Sequence, residues 1–187
     1  MDFPAEPRRA SAPRIAPGSR KDIGLVNAVI GAVIRRGART SRPPRIFTTL
    51  ARHRRLFRAW LRFASRLMPG GELPRRDTEL VILRTSVNCG SDYEWFHHVA
   101  IGRRAGLADD EIARVAEGPG AAGWADHDRA LLQATDELQR DHVISDATWG
   151  KLAARYDERQ LIELALLAGH YQMLAGALNS LGVEPDR

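Results

Sequence analysis

The stretch that decides the fold runs from Arg75 to Leu107, RRDTELVILRTSVNCGSDYEWFHHVAIGRRAGL. Leu80, Ile82, Leu83 and Val87 give its first half a helical apolar pattern, which Gly90 ends. A second helix opens at Ser91 and runs to about Ala105, where Gly106 stops it. The Gly90 turn lets the two helices fold back on each other. Ser91, Glu94 and His98 stand at i, i+3 and i+7 and so share one face of the second helix. Glu79, twelve residues before Ser91, can face that stripe from the first helix. Two carboxylates, an imidazole and the free N–H groups of a helix start make an acid–base site that needs neither metal nor cofactor.

Local structure offers a second account of the same residues. Ser91-Asp92-Tyr93-Glu94 satisfies the Ser-x-x-Glu capping box by itself. His98 can pair with Glu94, and a buried Glu79 needs a partner that His98 or Arg84 would supply.

Working outward, every other ordered segment also reads as helix. Ile23, Val26, Val29, Ile30 and Val33 recur at helical spacing between Asp22 and Arg36, and Ser41-Arg42-Pro43-Pro44 breaks the chain after them. Ile46 to Met68 reads as one or two helices, with Leu56, Trp60, Phe63 and Leu67 as one apolar stripe. Asp109–Glu117 and Asp126 to about Arg140 follow, then a helix capped by Ser145. Asp157 with Gln160 forms a capping box for the last helix, which reaches Leu181. That helix is apolar nearly all round, so it is expected at the buried centre. No alternating strand pattern occurs, and the fold class is all-α. Residues 1–20, with Pro4, Pro7, Pro13 and Pro17, read as a flexible N-terminal tail or arm, and 21–187 as a single helical domain.

The chain has 187 residues, and its single cysteine, Cys89, excludes an intramolecular disulfide or a zinc site built from several thiolates. Residues 1–70 hold sixteen bases against three acids, a net of +13, while the remainder carries −8. Such a division marks two faces of one fold, or subunits that attract each other, in which case assembly should weaken with salt. Twenty-six of the 28 bases are arginine, and no nucleic-acid reader motif accompanies them, so no nucleic-acid partner is expected. No signal-peptide pattern or membrane-length apolar run is read, which places the protein in the cytoplasm with no membrane partner. Glu94-x-x-His97 has the spacing of half a di-iron motif, but no second copy exists, and no metal is expected. His53, His127 and His142 sit among charged neighbours and read as surface residues, and His170 and Tyr171 as core residues.

The frame Glu79-x(11)-Ser91-x-Tyr93-Glu94-Trp95-x-x-His98, followed by Gly102 and Ala105-Gly106-Leu107, resembles the carboxymuconolactone decarboxylase family. That family shares its all-helical fold with alkylhydroperoxidase D. Similarity in Arg45–Phe63, Trp124 to Leu138, Ser145–Trp149 and His170-Tyr171 to Asn179 extends it over residues 42–183. In the peroxidase branch the motif is a glutamate, then Cys-x-His-Cys at a helix start, then a histidine four residues later. Its glutamate falls on Glu79 and its last histidine on His98, but its cysteines fall on Ser91 and Glu94 and its middle histidine on Tyr93. Cys89 stands two residues too early and has no partner. A serine and a carboxylate cannot form and resolve a sulfenic acid, so disulfide-cycling peroxidase (peroxiredoxin-type) chemistry is disfavoured.

The resemblance therefore implies the decarboxylase branch: cofactor-free acid–base chemistry, as a lyase or isomerase, on a small lactone or other enolisable carbonyl acid. Glu79, Glu94 and His98 would be catalytic, and Ser91, Tyr93 and Trp95 would bind substrate. It also implies a homo-oligomer (dimer, trimer or hexamer). The competing reading is a helical oligomeric binding protein without catalysis.

Overall fold

A computed structural model describes residues 1–38 and 40–187, and among these it contains nine helices and no strand. They are α1 (Arg20–Ala38), α2 (Arg45–Leu50), α3 (Arg54–Leu67), α4 (Arg75–Asn88), α5 (Asp92–Arg104), α6 (Asp109–Glu117), α7 (Asp126–Arg140), α8 (Asp146–Ala153) and α9 (Glu158–Leu181). The expected 46–68 segment is two helices, α2 and α3. Ser145 caps α8 by accepting from the Thr148 amide, and Asp157 and Gln160 form the reciprocal capping box of α9.

The centre of the fold is α4. Leu80, Val81, Ile82 and Leu83 are four consecutive residues with no solvent exposure. One face of a helix cannot hold four in a row, so α4 is enclosed on every side, by α5, α6, α7 and α9. The last helix, expected at the centre from its composition, lies instead at the edge. Its Leu164, Leu167, Ala168 and Leu178 are fully buried, but Ile162, Leu166 and Met173 are about half exposed or more. By length and composition α9 would reach across a bilayer; here it packs on α3, α4, α7 and α8 and carries the buried Glu163 and His170.

Two other apolar stripes also differ from expectation. On α1, Ile23 is buried, but Leu25, Val26, Val29 and Val33 are exposed, because α2 and α3 cover only the opposite side. On α3, Phe57 and Leu67 face the core, whereas Leu56 and Phe63 remain exposed.

Residues 1–19 form no helix and lie along the body. The Arg8 amide donates to the Gly90 carbonyl and the Ala10 amide to that of Asn179, both at 2.9 Å, and Phe3 packs edge-on against Trp95. Part of the charge division closes within the one chain, since Arg9 pairs with Asp92 and Arg45 with Glu184 and Asp186. Because α4 is enclosed, Ile82→Ala is expected to cost about 2–5 kcal/mol, read as a lower urea midpoint at unchanged slope. Ile162→Ala, on the exposed stripe, should stay within about 0.5 kcal/mol of wild type.

Candidate active site

The α4–α5 turn sets the register of the site. Gly90 adopts φ +64°, and a Cβ there would stand 2.5 Å from the Arg8 side chain, so only glycine fits. The Ser91 amide donates to the Ser86 carbonyl at 2.8 Å and starts α5. The capping box that the sequence offers is not formed. Ser91 makes no side-chain cap, and its Oγ is fully enclosed without a partner. Glu94 turns inward as well, and both its carboxyl oxygens are enclosed and unpartnered. Local capping therefore accounts for neither residue.

Across the helix pair, His98 Nδ1 stands 2.7 Å from Glu79 Oε2. Glu79 has no solvent exposure and His98 has 6%. Arg75, one turn earlier on α4, places Nη2 3.1 Å from Glu79 Oε1 as an ion pair without hydrogen-bond alignment. Beside that guanidinium Glu79 is the acceptor and His98 Nδ1–H the donor, which leaves Nε2 for a reacting group. Nε2 has no partner among the described residues and, unlike Ser91 Oγ and the Glu94 oxygens, is not sealed from solvent. Tyr171 from α9 closes one side, its ring edge-on to His98 at 5.3 Å. The structure thus joins Glu79 to His98 rather than His98 to Glu94. Arg84, the other partner considered for Glu79, is held by Asp136 at 2.6 and 2.9 Å.

Burial raises the Glu94 carboxyl well above the usual carboxylate range. Burial, with the Glu94 and Glu79 charges behind it, also pushes up the Tyr171 hydroxyl. Each shift favours the protonated O–H form, and a protonated Glu94 would not repel an anionic substrate from the start of α5. Next to Tyr171, burial lowers the His170 imidazole, whose ring stacks on Trp60.

Tyr93 and Trp95 are directed elsewhere. Tyr93 donates to Asp186 Oδ2 at 2.9 Å and accepts from the Ile46 amide. Trp95 donates to the Asp2 carbonyl and is 1% exposed, within the core. Asp186 also meets His97 and, despite burial, these hydrogen bonds hold its carboxyl below the ordinary range. Arg75 and Asp186 are residues that sequence reasoning did not place, and Tyr171, expected in the core, is buried there against His98. For Arg75 a signal existed, a base at i−4 from Glu79 on a helix.

His127 is not a surface residue. With Tyr156 it bonds Asp77, at 3.2 and 2.6 Å. Asp77, His127 and Asp128 offer three ligand atoms within 4.8 Å of one another, but Arg76 already grips Asp128 with two bonds of 2.8 Å. A guanidinium stands where a cation would be held. Cys89 lines a recess of about 820 Å³ with Arg8, Asn88, Gln139, Gln172 and Gly176, apart from Glu79, Glu94 and His98. Burial, and the Glu94 charge after it, push its thiol up to about 11, so it is not a thiolate at neutral pH.

Residues 54–137, which carry Glu79, Ser91, Glu94 and His98, match the model of the carboxymuconolactone decarboxylase family (CMD). That match spans 84 of the 187 residues, under half of the chain. Solved structures show a likeness of fold over nearly the whole chain. An uncharacterized peroxidase-related protein from Ralstonia eutropha JMP134, described as an alkylhydroperoxidase AhpD core, has a TM-score of 0.82 at 19% identity, covering 95% of this chain and 94% of its own. One from Silicibacter sp. TM1040 has a TM-score of 0.77 at 16% identity, covering 100% and 95%. The debrominase Bmp8 has a TM-score of 0.74 at 16% identity, covering 92% and 91%; a cysteine-to-alanine variant of it was solved with 2,3,4-tribromopyrrole. At these identities the structural likeness shows the AhpD-like fold alone. Comparison with curated proteins gives no match.

Proposed function

We propose that this chain is a cofactor-free acid–base enzyme of the cytoplasm, acting as a lyase or isomerase on a small lactone or other enolisable carbonyl acid. The observation that carries this reading is the buried Glu79–His98 pair, whose Nε2 has no partner among the described residues, on a helix that also carries the unpartnered Glu94 and begins at the unpartnered Ser91. In proton abstraction, His98 Nε2 takes the proton from the carbon next to the carbonyl, and the C–H electron pair moves onto the carbonyl oxygen. In decarboxylation the C–C bond breaks instead, CO2 leaves, and the same oxygen receives the electron pair. The O–H groups of Glu94 and Ser91 donate to that oxyanion, and a proton is returned to carbon from His98 or Glu94. Glu79 holds the ring in its tautomer and offsets the imidazolium charge as it forms.

Bmp8 is described as a debrominase, and its variant in complex with 2,3,4-tribromopyrrole replaces a cysteine. A thiol route here would rest on Cys89 alone, which is protonated and faces another recess. The second reading, a helical binding protein without turnover, is favoured by the enclosure of His98 and Glu79.

One experiment separates the three. A panel of β-keto acids and carboxylated lactones is incubated in D2O and followed by NMR for loss of protons next to the carbonyl and for release of CO2. Exchange that survives Cys89→Ala and is lost in His98→Gln supports the acid–base reading. Loss in Cys89→Ala moves the chemistry to the thiol. Binding of panel members without exchange leaves the binding protein.

A further inference from the structure

The chain has three tyrosines, and two of them spend their hydroxyls inside the protein, Tyr93 on Asp186 and Tyr156 on Asp77. Tyr171 does not. Its hydroxyl makes no hydrogen bond among the described residues, although a buried tyrosine ordinarily finds a partner. The ring is nevertheless fixed, edge-on to His98 on α5 and edge-on to the neighbouring His170, each at 5.3 Å. Ser91 Oγ and the Glu94 oxygens are also unpartnered, but they are sealed. Tyr171 Oη is not sealed, and Tyr171 keeps the same 6% exposure as His98. The Glu94, Glu79 and Arg75 charges all act on this hydroxyl, and burial holds it in the O–H form.

We infer that the Tyr171 hydroxyl is a further catalytic group of this site, donating a hydrogen bond to the substrate's carbonyl oxygen as that oxygen gains charge. The inference rests on the acid–base reading proposed above. Enolisation needs a base at the carbon and a donor at the oxygen two bonds away. The His98–Tyr171 ring contact sets an unspent base and an unspent donor side by side. A substrate can meet both before it displaces any packing around Ser91 and Glu94. When His98 Nε2 takes the proton, the C–H electron pair forms the C=C bond and the carbonyl π pair moves onto oxygen. Tyr171 keeps its own proton throughout, so nothing has to be returned to it.

Tyr171→Phe removes the hydroxyl alone and keeps the ring against both histidines. Because that hydroxyl bonds nothing in the protein, the melting temperature is expected to stay at the wild-type value. With acetoacetate as substrate, kcat should fall roughly 10²- to 10³-fold, as when one oxyanion donor is removed, with KM little changed. Binding supplies a second readout. Oxalate, a stable mimic of an enolate, is titrated into protein labelled with ¹³C at the tyrosine ζ carbon. One signal should move, the one missing from Tyr171→Phe, since Tyr93 and Tyr156 are already engaged. Turnover lost in His98→Gln but kept in Tyr171→Phe overturns the inference and leaves the acid–base reading standing. A Tyr171 signal unmoved by oxalate, a raised KM at unchanged kcat, or a melting temperature that falls together with turnover also overturns it. Wild type that turns over neither acetoacetate nor any other panel member ends the acid–base reading, and this inference with it.

Discussion

Replacing His98 with glutamine is expected to lower turnover by roughly 10²- to 10⁴-fold, the usual contribution of a positioned acid–base group, while the melting temperature stays near wild type. The glutamine amide can still donate to Glu79 Oε2, where the Nδ1–H donates now at 2.7 Å. It cannot take up a proton at neutral pH. The hydrogen bond that holds α5 to α4 is thus kept and the proton carrier is lost. His98→Leu serves as the contrast. It strands the fully buried Glu79 with Arg75 alone, and stripping a partner from a buried charge costs about 3–5 kcal/mol. If the pair only holds two helices together, the glutamine variant keeps its stability and there is no turnover to lose. If an established turnover persists in it, the proton moves through another group and the assigned role of His98 is wrong. Glu79→Gln should lie between, because the acceptor oxygen remains while the charge that offsets the imidazolium is gone.

What the sequence made readable follows from how far each signal reaches. Helix ends are set within a few residues, by Ser145, by the Asp157–Gln160 box and by Gly90, and these could be placed from sequence. The Glu79–His98 juxtaposition was also legible, since a tight turn between two helices returns the second along the first. Orientation toward a third element was not. Periodicity shows that Val26, Val29 and Val33 share a face, but not whether this chain supplies the cover for it. The same limit misplaced α9, whose composition suits burial all round yet whose outer stripe has no partner in one chain. α4 looked like one buried helix among several, and four successive unexposed residues reveal it as the axis. At the site, Ser-x-x-Glu spelled a capping box, but spacing cannot tell whether the side chains reach back to the backbone. Here Ser91 and Glu94 turn inward and stay unpartnered. Tyr171 sits over seventy residues beyond His98, and only packing brings the rings together.

Glu94→Gln is expected to change how stability depends on pH. Burial raises the Glu94 carboxyl in the folded protein above its ordinary value of 4.5, whereas the unfolded chain titrates near that value. Between the two, the folded state holds a proton that the unfolded state has released. The slope of unfolding free energy with pH is set by protons bound unfolded minus folded, so here it is negative. The contribution is complete at pH below 4.5 and is lost as pH rises toward the folded value, by up to about 1.4 kcal/mol per pH unit for one proton. Glutamine fills the same space and cannot ionise. Melting curves from pH 5 to 8 should therefore show wild type losing stability relative to Glu94→Gln, with the other titrating groups cancelling in the difference. Turnover should fall by roughly 10²- to 10³-fold in the variant, as when one oxyanion donor is removed, because an amide N–H replaces a carboxylic O–H. Superimposable stability curves would mean that Glu94 ionises as freely when folded as when unfolded. It would then be an anion at the start of α5, unable to donate to an oxyanion, and the acid–base scheme would have to rest on His98 with Ser91 and Tyr171 as donors.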